Sequence, residues 1–256
     1  MSAGDKQAIF EQVYRGRQSA LHHLAYMRTS KVLLAIDALE RAGVELGKSR
    51  VLDYGFGAGT FFRHCPRNAN LFGVETDPQN VCDVEVMLRD RGFEAVDLQP
   101  IKIPDWKSHP LLREEYDVIV CSHVLEHVDK PIDLLRALGT CLAQNGSLVC
   151  LVPLNEIVIN PHHVQRLDRE IIQAWVREAG LVVQDYRESD EIFYPFQPSF
   201  AYDTGWRHKV AQGISLGLGL LSASLGRRLW WRVSLFLGRT LGWKPSQAVF
   251  VVTGVQ

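Results

Sequence analysis

The alternation of apolar and polar positions divides the chain into three stretches. Over about residues 7–42, Ile9 and Val13, and later Leu33, Leu34, Ile36 and Leu39, recur at helical spacing. Gly43 and Gly47 close that stretch. From residue 50 onward, short apolar runs alternate with helical segments. The runs at 50–54, 71–75, 93–98, 117–121, 147–152 and 181–186 predict strands, with a last one at 246–254. A short helical turn follows Phe61-Phe62 and ends near Cys65-Pro66. Asp77 caps a helix that starts at Pro78 and stops at Gly92. A third helix runs from Pro131 through Ala143, and a fourth is capped by Asp168 and closed by Gly180. Residues 99–115, with Pro100, Pro104 and Pro110, predict a loop. Strands alternating with helices predict an α/β fold with a mostly parallel sheet. The third stretch, 188–245, is too long for a structureless loop. It opens polar and aromatic, then becomes helix-like and rich in Leu and Gly over 210–243.

The chemistry concentrates after the first strand, in Val51-Leu52-Asp53-Tyr54-Gly55-Phe56-Gly57-Ala58-Gly59-Thr60. A strand, a glycine turn and a helix start bring backbone N–H groups close to a ligand, because side chains there would block the approach. Dinucleotide sites use the spacing G-x-G-x-x-G. Here the third glycine comes one residue early, and Thr60 stands where that pattern needs Gly or Ala. This disfavours a nicotinamide-dependent oxidoreductase. Asp53 suits a ligand with a positive group and would repel a pyrophosphate. Glu75 ends the second strand 20 residues after Gly55, where a carboxylate meets ribose hydroxyls.

These residues resemble class I S-adenosylmethionine-dependent methyltransferases. Asp53-x-Gly55-x-Gly57-x-Gly59 looks like their first motif, and Leu71-Phe72-Gly73-Val74-Glu75 like their second strand. The run from Tyr116-Asp117-Val118 to Ser122-His123-Val124-Leu125-Glu126-His127-Val128 resembles the fourth strand and turn of ubiquinone-pathway-like small-molecule methyltransferases. The resemblance covers roughly residues 45 to 187. It implies a Rossmann-like three-layer sandwich, with a mostly parallel seven-stranded sheet whose last strand is antiparallel. N-terminal helices (1–48) form a cap, 49–187 and 246–256 the cofactor-binding domain, and 188–245 a helical insertion.

By the same resemblance the cofactor is S-adenosyl-L-methionine. Asp53, Gly55, Gly57 and Gly59 would hold its methionine part and Glu75 its ribose. Thr76, Asp97 and Leu98 would surround the adenine, with Ser122 beside them at the strand edge. His123, His162 and His163 are the candidate catalytic residues, since imidazole titrates near neutral pH. Glu126 and His127 are expected to fix the turn by hydrogen bonds. Tyr14, Tyr26 and Arg28 are candidate contacts on the leading helices, although packing or solvation of the helix surface is the preferred reading. Adjacent His22 and His23 point apart on a helix and do not suit one metal.

Composition narrows the partners. Of 256 residues, 46% are hydrophobic and 22% charged, with a net charge of −1, so nothing global argues for nucleic acid. The five cysteines form no C-x-x-C pair, and no carboxylate cluster has metal spacing, so neither zinc, disulfide nor metal requirement is expected. The N-terminus is polar, without a signal-peptide core, and a reducing cytoplasm is the expected location. After Asp203 the chain carries no Asp or Glu, but it does carry Arg207, Lys209, Arg227, Arg228, Arg232, Arg239 and Lys244. The 207–244 segment therefore reads as a lid over the acceptor cavity or a homodimer surface, or else as a peripheral membrane contact. The lid is preferred, because an insertion here overhangs the site. The expected activity is methyl transfer to a small-molecule acceptor, preferably at oxygen. The competing class is a non-catalytic or membrane-associated subunit acting through the basic segment.

Overall fold

A computed structural model of the chain describes residues 26–157, 163–164, 166–189, 192, 194 and 206–254. Helix α1 spans Tyr26–Arg41, followed by β1 (Arg50–Tyr54) and a 3-10 turn (Phe62–His64). Next come β2 (Asn70–Glu75), α2 (Pro78–Asp90) and β3 (Val96–Pro100). Two 3-10 turns (Ile103–Ser108 and Pro110–Arg113) lead to β4 (Tyr116–Ser122) and a further 3-10 turn (Leu125–His127). The chain continues through α3 (Pro131–Thr140), β5 (Leu142–Pro153), α4 (Arg169–Glu178) and β6 (Leu181–Ser189). Helices α5 (Trp206–Leu225) and α6 (Arg227–Thr240) precede β7 (Gln247–Gly254).

The seven strands form one sheet in the order β3-β2-β1-β4-β5-β7-β6. All neighbours from β3 to β5 pair in parallel, and β7 runs antiparallel to both β5 and β6. The expected Rossmann-like sandwich is therefore present. Successive side chains of a strand face opposite sides, and two cores follow. Leu52, Ile119, Cys150 and Phe250 meet α3 and α4 on one face. Val51, Val120, Val149 and Val251 meet α1 and α2 on the other.

Local signals account for most helix ends. Asp77 accepts a hydrogen bond from Gln79 N at 2.9 Å, with Pro78 in the first turn. Asp168 accepts from Ile171 N at 2.8 Å. Several boundaries differ from the sequence expectation. β3 continues to Pro100 rather than ending at Leu98, because it is the edge strand, where a missing N–H costs no ladder bond. α3 ends at Thr140, and β5 begins already at Leu142. The register then jumps between Tyr116 and Val118. Asn145 takes φ +66° within that irregularity, and Gly146 lies so close to the Tyr116 carbonyl that a Cβ would sit 2.7 Å from it. The sixth strand runs to Ser189, past the expected domain boundary at 187. The helix-like 210–243 stretch is two helices, broken at Gly226 with φ +85°. α5 packs against α1 and α6. Among the described residues, no helix is long and apolar enough to cross a membrane.

Candidate active site

The parallel strands β1, β2 and β4 end together, and their last residues and following turns converge at one edge of the sheet. Ligands of open α/β sheets bind at that edge. Asp53 is aligned with Gly73 of β2 and Val120 of β4, and its side chain is buried. Burial raises its carboxyl well above the usual range, and the nearby Glu75 adds to the rise. After Tyr54 the chain turns sharply, with Gly55, Gly57 and Gly59 all at positive φ. A Cβ on Gly55 would sit 2.6 Å from Val124 Cγ2, whereas at Gly57 nothing lies within 4 Å of that position. The turn is thus closed beneath Gly55 and open above Gly57.

Glu75 closes the turn from the next strand. Its Oε2 accepts from Gly57 N at 2.7 Å. Its Oε1 accepts from Thr76 N at 2.7 Å, Thr76 Oγ1 at 2.9 Å and Asp77 N at 3.4 Å. Burial raises the Glu75 pKa, and those four bonds oppose the rise. With one accepted bond, Oε2 keeps a lone-pair direction for a further donor.

The third wall follows β4. Ser122 is half-buried at the strand end, and His123 N donates to Leu151 O at 2.9 Å. His123 takes φ +56°. Its Nε2 lies 3.4 Å from Gln247 Oε1 at the start of β7, and its Nδ1 3.1 Å from Glu126 Oε1. Burial lowers the His123 pKa, and the charge of Lys31 on α1 lowers it further. Glu126 is buried completely. Burial pushes its carboxyl up, but His123, His127 and His163 outweigh that and hold it at about 2. His123 Nδ1 is thus the side-chain neighbour of Glu126 Oε1. Glu126 and His127 do take part in hydrogen bonds that fix the turn. Backbone bonds fix it, from His127 N to Val124 O and from Val164 N to Glu126 O.

Val164 N belongs to the loop after β5, so that bond brings His163 to the turn. The rings of His127 and His163 meet edge to face with centroids 4.8 Å apart. His163 Nδ1 lies 2.9 Å from Glu156. Glu126, His127 and His163 each offer a ligand atom, all within 4.8 Å of one another. Glu126 and His127 are adjacent in the sequence, and only the fold brings in His163, 36 residues beyond His127.

The structure therefore brings Asp53, the three glycines, Glu75, Thr76, Ser122, His123 and His163 to one edge. Leu98 stands level with Gly73 and Asp53 in the sheet, and Asp97 one residue lower. Asp97 is exposed in mid-strand, level with Phe72 and bonded by Gln99, three residues short of the β3 end. At about 3.3 Å per residue it sits roughly 7 Å below the level of Tyr54, where β1 ends. Leu98 is buried under Gly73, close to where a Gly73 side chain would sit. His162, Tyr14, His22 and His23, and the side chains of Tyr26 and Arg28, lie outside the described residues. Sequence reasoning missed Gln247 and Glu156. Gln247 meets His123 from 124 residues away, and Glu156 meets His163 across the loop after β5.

A family model described as a methyltransferase domain matches residues 25–186. A ubiquinone biosynthesis O-methyltransferase of Pseudomonas aeruginosa (strain UCBPP-PA14) is 30% identical over 166 residues, covering 57% of this chain and 69% of that one. The enzyme of the same name from Xanthomonas euvesicatoria pv. vesicatoria is 26% identical over 190 residues, covering 66% and 74%. Among solved structures, coclaurine N-methyltransferase bound to N-methylheliamine and SAH superposes with a TM-score of 0.64 at 13% identity, covering 98% of this chain and 86% of that one. The [4+2]-cyclase SpnF superposes with a TM-score of 0.58 at 16% identity, covering 88% and 81%. At such identities these two likenesses establish the fold alone.

Proposed function

Because the chain belongs to the methyltransferase-domain family, we propose that it transfers the methyl group of S-adenosylmethionine to an oxygen of a small-molecule acceptor. The observation that carries this reading is the pairing of two buried acids with a glycine turn that is open above Gly57. That geometry fits the cofactor. A zwitterionic amino acid needs a carboxylate for its ammonium group, and Asp53 supplies one. The ribose needs an acceptor for its hydroxyls, and Oε2 of Glu75 has a lone pair to offer. The open space above Gly57 lets the ligand approach the backbone. The choice of oxygen rests on the two relatives named as O-methyltransferases.

S-adenosylmethionine supplies an electrophilic methyl carbon on a positively charged sulfur, so the acceptor C–O bond forms as the C–S bond breaks and its electron pair returns to sulfur. The protein's share is to place the acceptor oxygen in line and to exclude water, which contributes on the order of 7–11 kcal/mol. His123, on the turn after β4, is the candidate acceptor for the hydroxyl proton. Asp53 has a separate task, since its carboxylate is committed to the ligand's ammonium. Incubation with methyl-deuterated cofactor and a panel of phenols, catechols and aliphatic alcohols tests the reading. Mass spectrometry should find labelled ether in at least one acceptor. Labelled product confined to amines overturns the choice of oxygen. Cofactor binding without product in any acceptor class favours a non-catalytic subunit.

A surface role of the C-terminal helices has its own support. Nine of the thirteen exposed large apolar residues among the described ones lie between 210 and 241, on α5, α6 and the residue after α6. On α6, Leu229, Val233, Phe236 and Leu237 recur at helical spacing and are exposed. Lys209, Arg232, Arg239 and Lys244 are exposed on the same segment. An apolar stripe among basic residues suits the surface of an anionic membrane. Sedimentation with phosphatidylglycerol vesicles should carry the protein down and lose it with Phe236→Asp. A concentration-dependent dimer in the absence of vesicles would instead assign the patch to a second copy.

A further inference from the structure

Helix α2 starts at the sheet edge beside Glu75 and ends, 13 residues and about 20 Å away, just before Arg91. Arg91 Nη2 donates to the Arg63 carbonyl at 3.4 Å. Arg67 Nη1 lies 3.9 Å from where a Cβ on Gly92, the residue after Arg91, would stand. Arg63, Arg67 and Arg91 therefore meet at one corner of the molecule. Arg67 and Arg91 are exposed and Arg63 is half-buried. Arg89 on the same helix has an acid partner, Glu85, at 2.8 Å. Among the described residues none of the other three arginines has one, although Asp90 and Glu94 flank Arg91 in the sequence. The helix end accounts for one cation, since a positive charge near the last carbonyls complements the dipole. It does not account for three. Arg63 Nε is also buried and has no hydrogen-bond partner among the described residues, a costly state for a donor on a charged group. Burial lowers the Arg63 pKa, and the charge of Arg91 lowers it further.

The geometry points to an anion site at this corner, in which Arg63, Arg67 and Arg91 hold the phosphate group of a ligand separate from the cofactor and the acceptor. A bound anion supplies what the corner lacks, an acceptor for Arg63 Nε and a negative charge among like charges. A guanidinium presents its N–H groups as a planar fork that fits two phosphate oxygens. Phosphate on an organic group carries close to two charges at neutral pH and offers three oxygens, whereas a carboxylate has one charge and two oxygens. Phosphate is therefore the better match to three arginines. The corner lies below the glycine turn and outside it. Arg63 N donates to Gly59 O at 3.3 Å, and Val84 Cγ1 lies 2.6 Å from where a Cβ on Gly59 would stand. Arg91 stands about 10 Å further along the helix than Val84. A phosphate held there would fasten the chain that leaves the glycine turn without entering the turn. This inference goes beyond methyl transfer and does not depend on it.

Calorimetric titration of the purified chain with inorganic phosphate and with glycerol 1-phosphate tests the site without any turnover. Salt is held at about 0.15 M, where diffuse attraction between exposed charges is screened beyond about 8 Å. The expected result is one equivalent bound, with affinity at least tenfold lower in both Arg63→Gln and Arg91→Gln. Arg89→Gln removes the same charge from the same helix and should leave binding unchanged. Binding of S-adenosylhomocysteine in each variant reports that the glycine turn is still folded. Glycerol 1-phosphate binding tighter than inorganic phosphate would uphold the site and assign it to a phosphorylated organic molecule. Equal affinities would uphold it as a site for the free ion. Absence of phosphate binding in a wild type that binds S-adenosylhomocysteine overturns the proposal. So does undiminished binding in Arg63→Gln and Arg91→Gln, or an equal loss in Arg89→Gln, which would mark general charge attraction. Phosphate binding in a folded protein that ignores S-adenosylhomocysteine would uphold this site and sink the methyltransferase reading instead.

Discussion

Alanine at Gly55 and at Gly57 should separate stability from ligand access. At Gly55 an added Cβ meets two costs. The residue sits at φ +75°, where an L side chain costs about 1–2 kcal/mol. The Cβ would also lie 2.6 Å from Val124 Cγ2, and displacing a packed neighbour costs about 1–3 kcal/mol. Gly55→Ala should therefore lose roughly 2–5 kcal/mol of unfolding free energy, the sum of those two ranges. At Gly57 the residue sits at φ +54°, and no atom lies within 4 Å of the added Cβ. Gly57→Ala should lose only about 1–2 kcal/mol. Its methyl group, however, occupies the space through which a ligand would approach the backbone. Urea denaturation followed by tryptophan fluorescence gives the first quantity, and calorimetric titration with S-adenosylhomocysteine gives the second. The expected pattern is a folded Gly57→Ala variant with affinity at least tenfold lower, which is about 1.4 kcal/mol. A Gly57→Ala variant that binds like wild type would refute the argument that the open side of the turn is the ligand's side.

Two further outcomes follow from burial. Because burial, and after it Glu75, raises the Asp53 pKa, the folded protein retains a proton there that the unfolded chain has released. Stability of the ligand-free protein should then fall as pH rises from about 4, the unfolded value, through the folded one. Asp53→Asn should flatten that slope, raise the melting temperature at neutral pH and abolish cofactor binding. A melting profile with the wild-type slope would contradict the assignment. Phe250, on β7 between β5 and β6, is 1% exposed, and Phe250→Ala should cost about 3–5 kcal/mol in urea denaturation. Phe236→Ala on α6, where the ring is 69% exposed, should stay within about 0.5 kcal/mol of wild type.

The parts of the fold that follow from local chemistry were readable in the sequence. β1 ends where an apolar run meets glycines that need positive φ, and α2 begins where Asp77 can cap and Pro78 lacks an N–H. The alternation of strand and helix led to the parallel sheet without any long-range information. Errors arose where a local signal depends on position in the sheet. Pro100 reads as a loop residue, but an edge strand tolerates proline, so β3 ends two residues later than its local pattern suggests. Asn145-Gly146 looked like a helix end, although it is an irregularity inside β5. The polar group at Glu126 was beyond sequence reasoning for another reason. Glu126 and His163 meet because Val164 N bonds to the Glu126 carbonyl, and no spacing along the chain announces that contact.

The central claim is that Asp53, the open glycine turn and Glu75 together hold S-adenosylmethionine. Calorimetric titration of S-adenosylhomocysteine into the wild type, beside Asp53→Ala and Glu75→Ala, tests it most directly. The account predicts one site of micromolar affinity in the wild type, weakened at least tenfold in each variant while both remain folded. No binding to the folded wild type, or equal affinity in all three proteins, would contradict it.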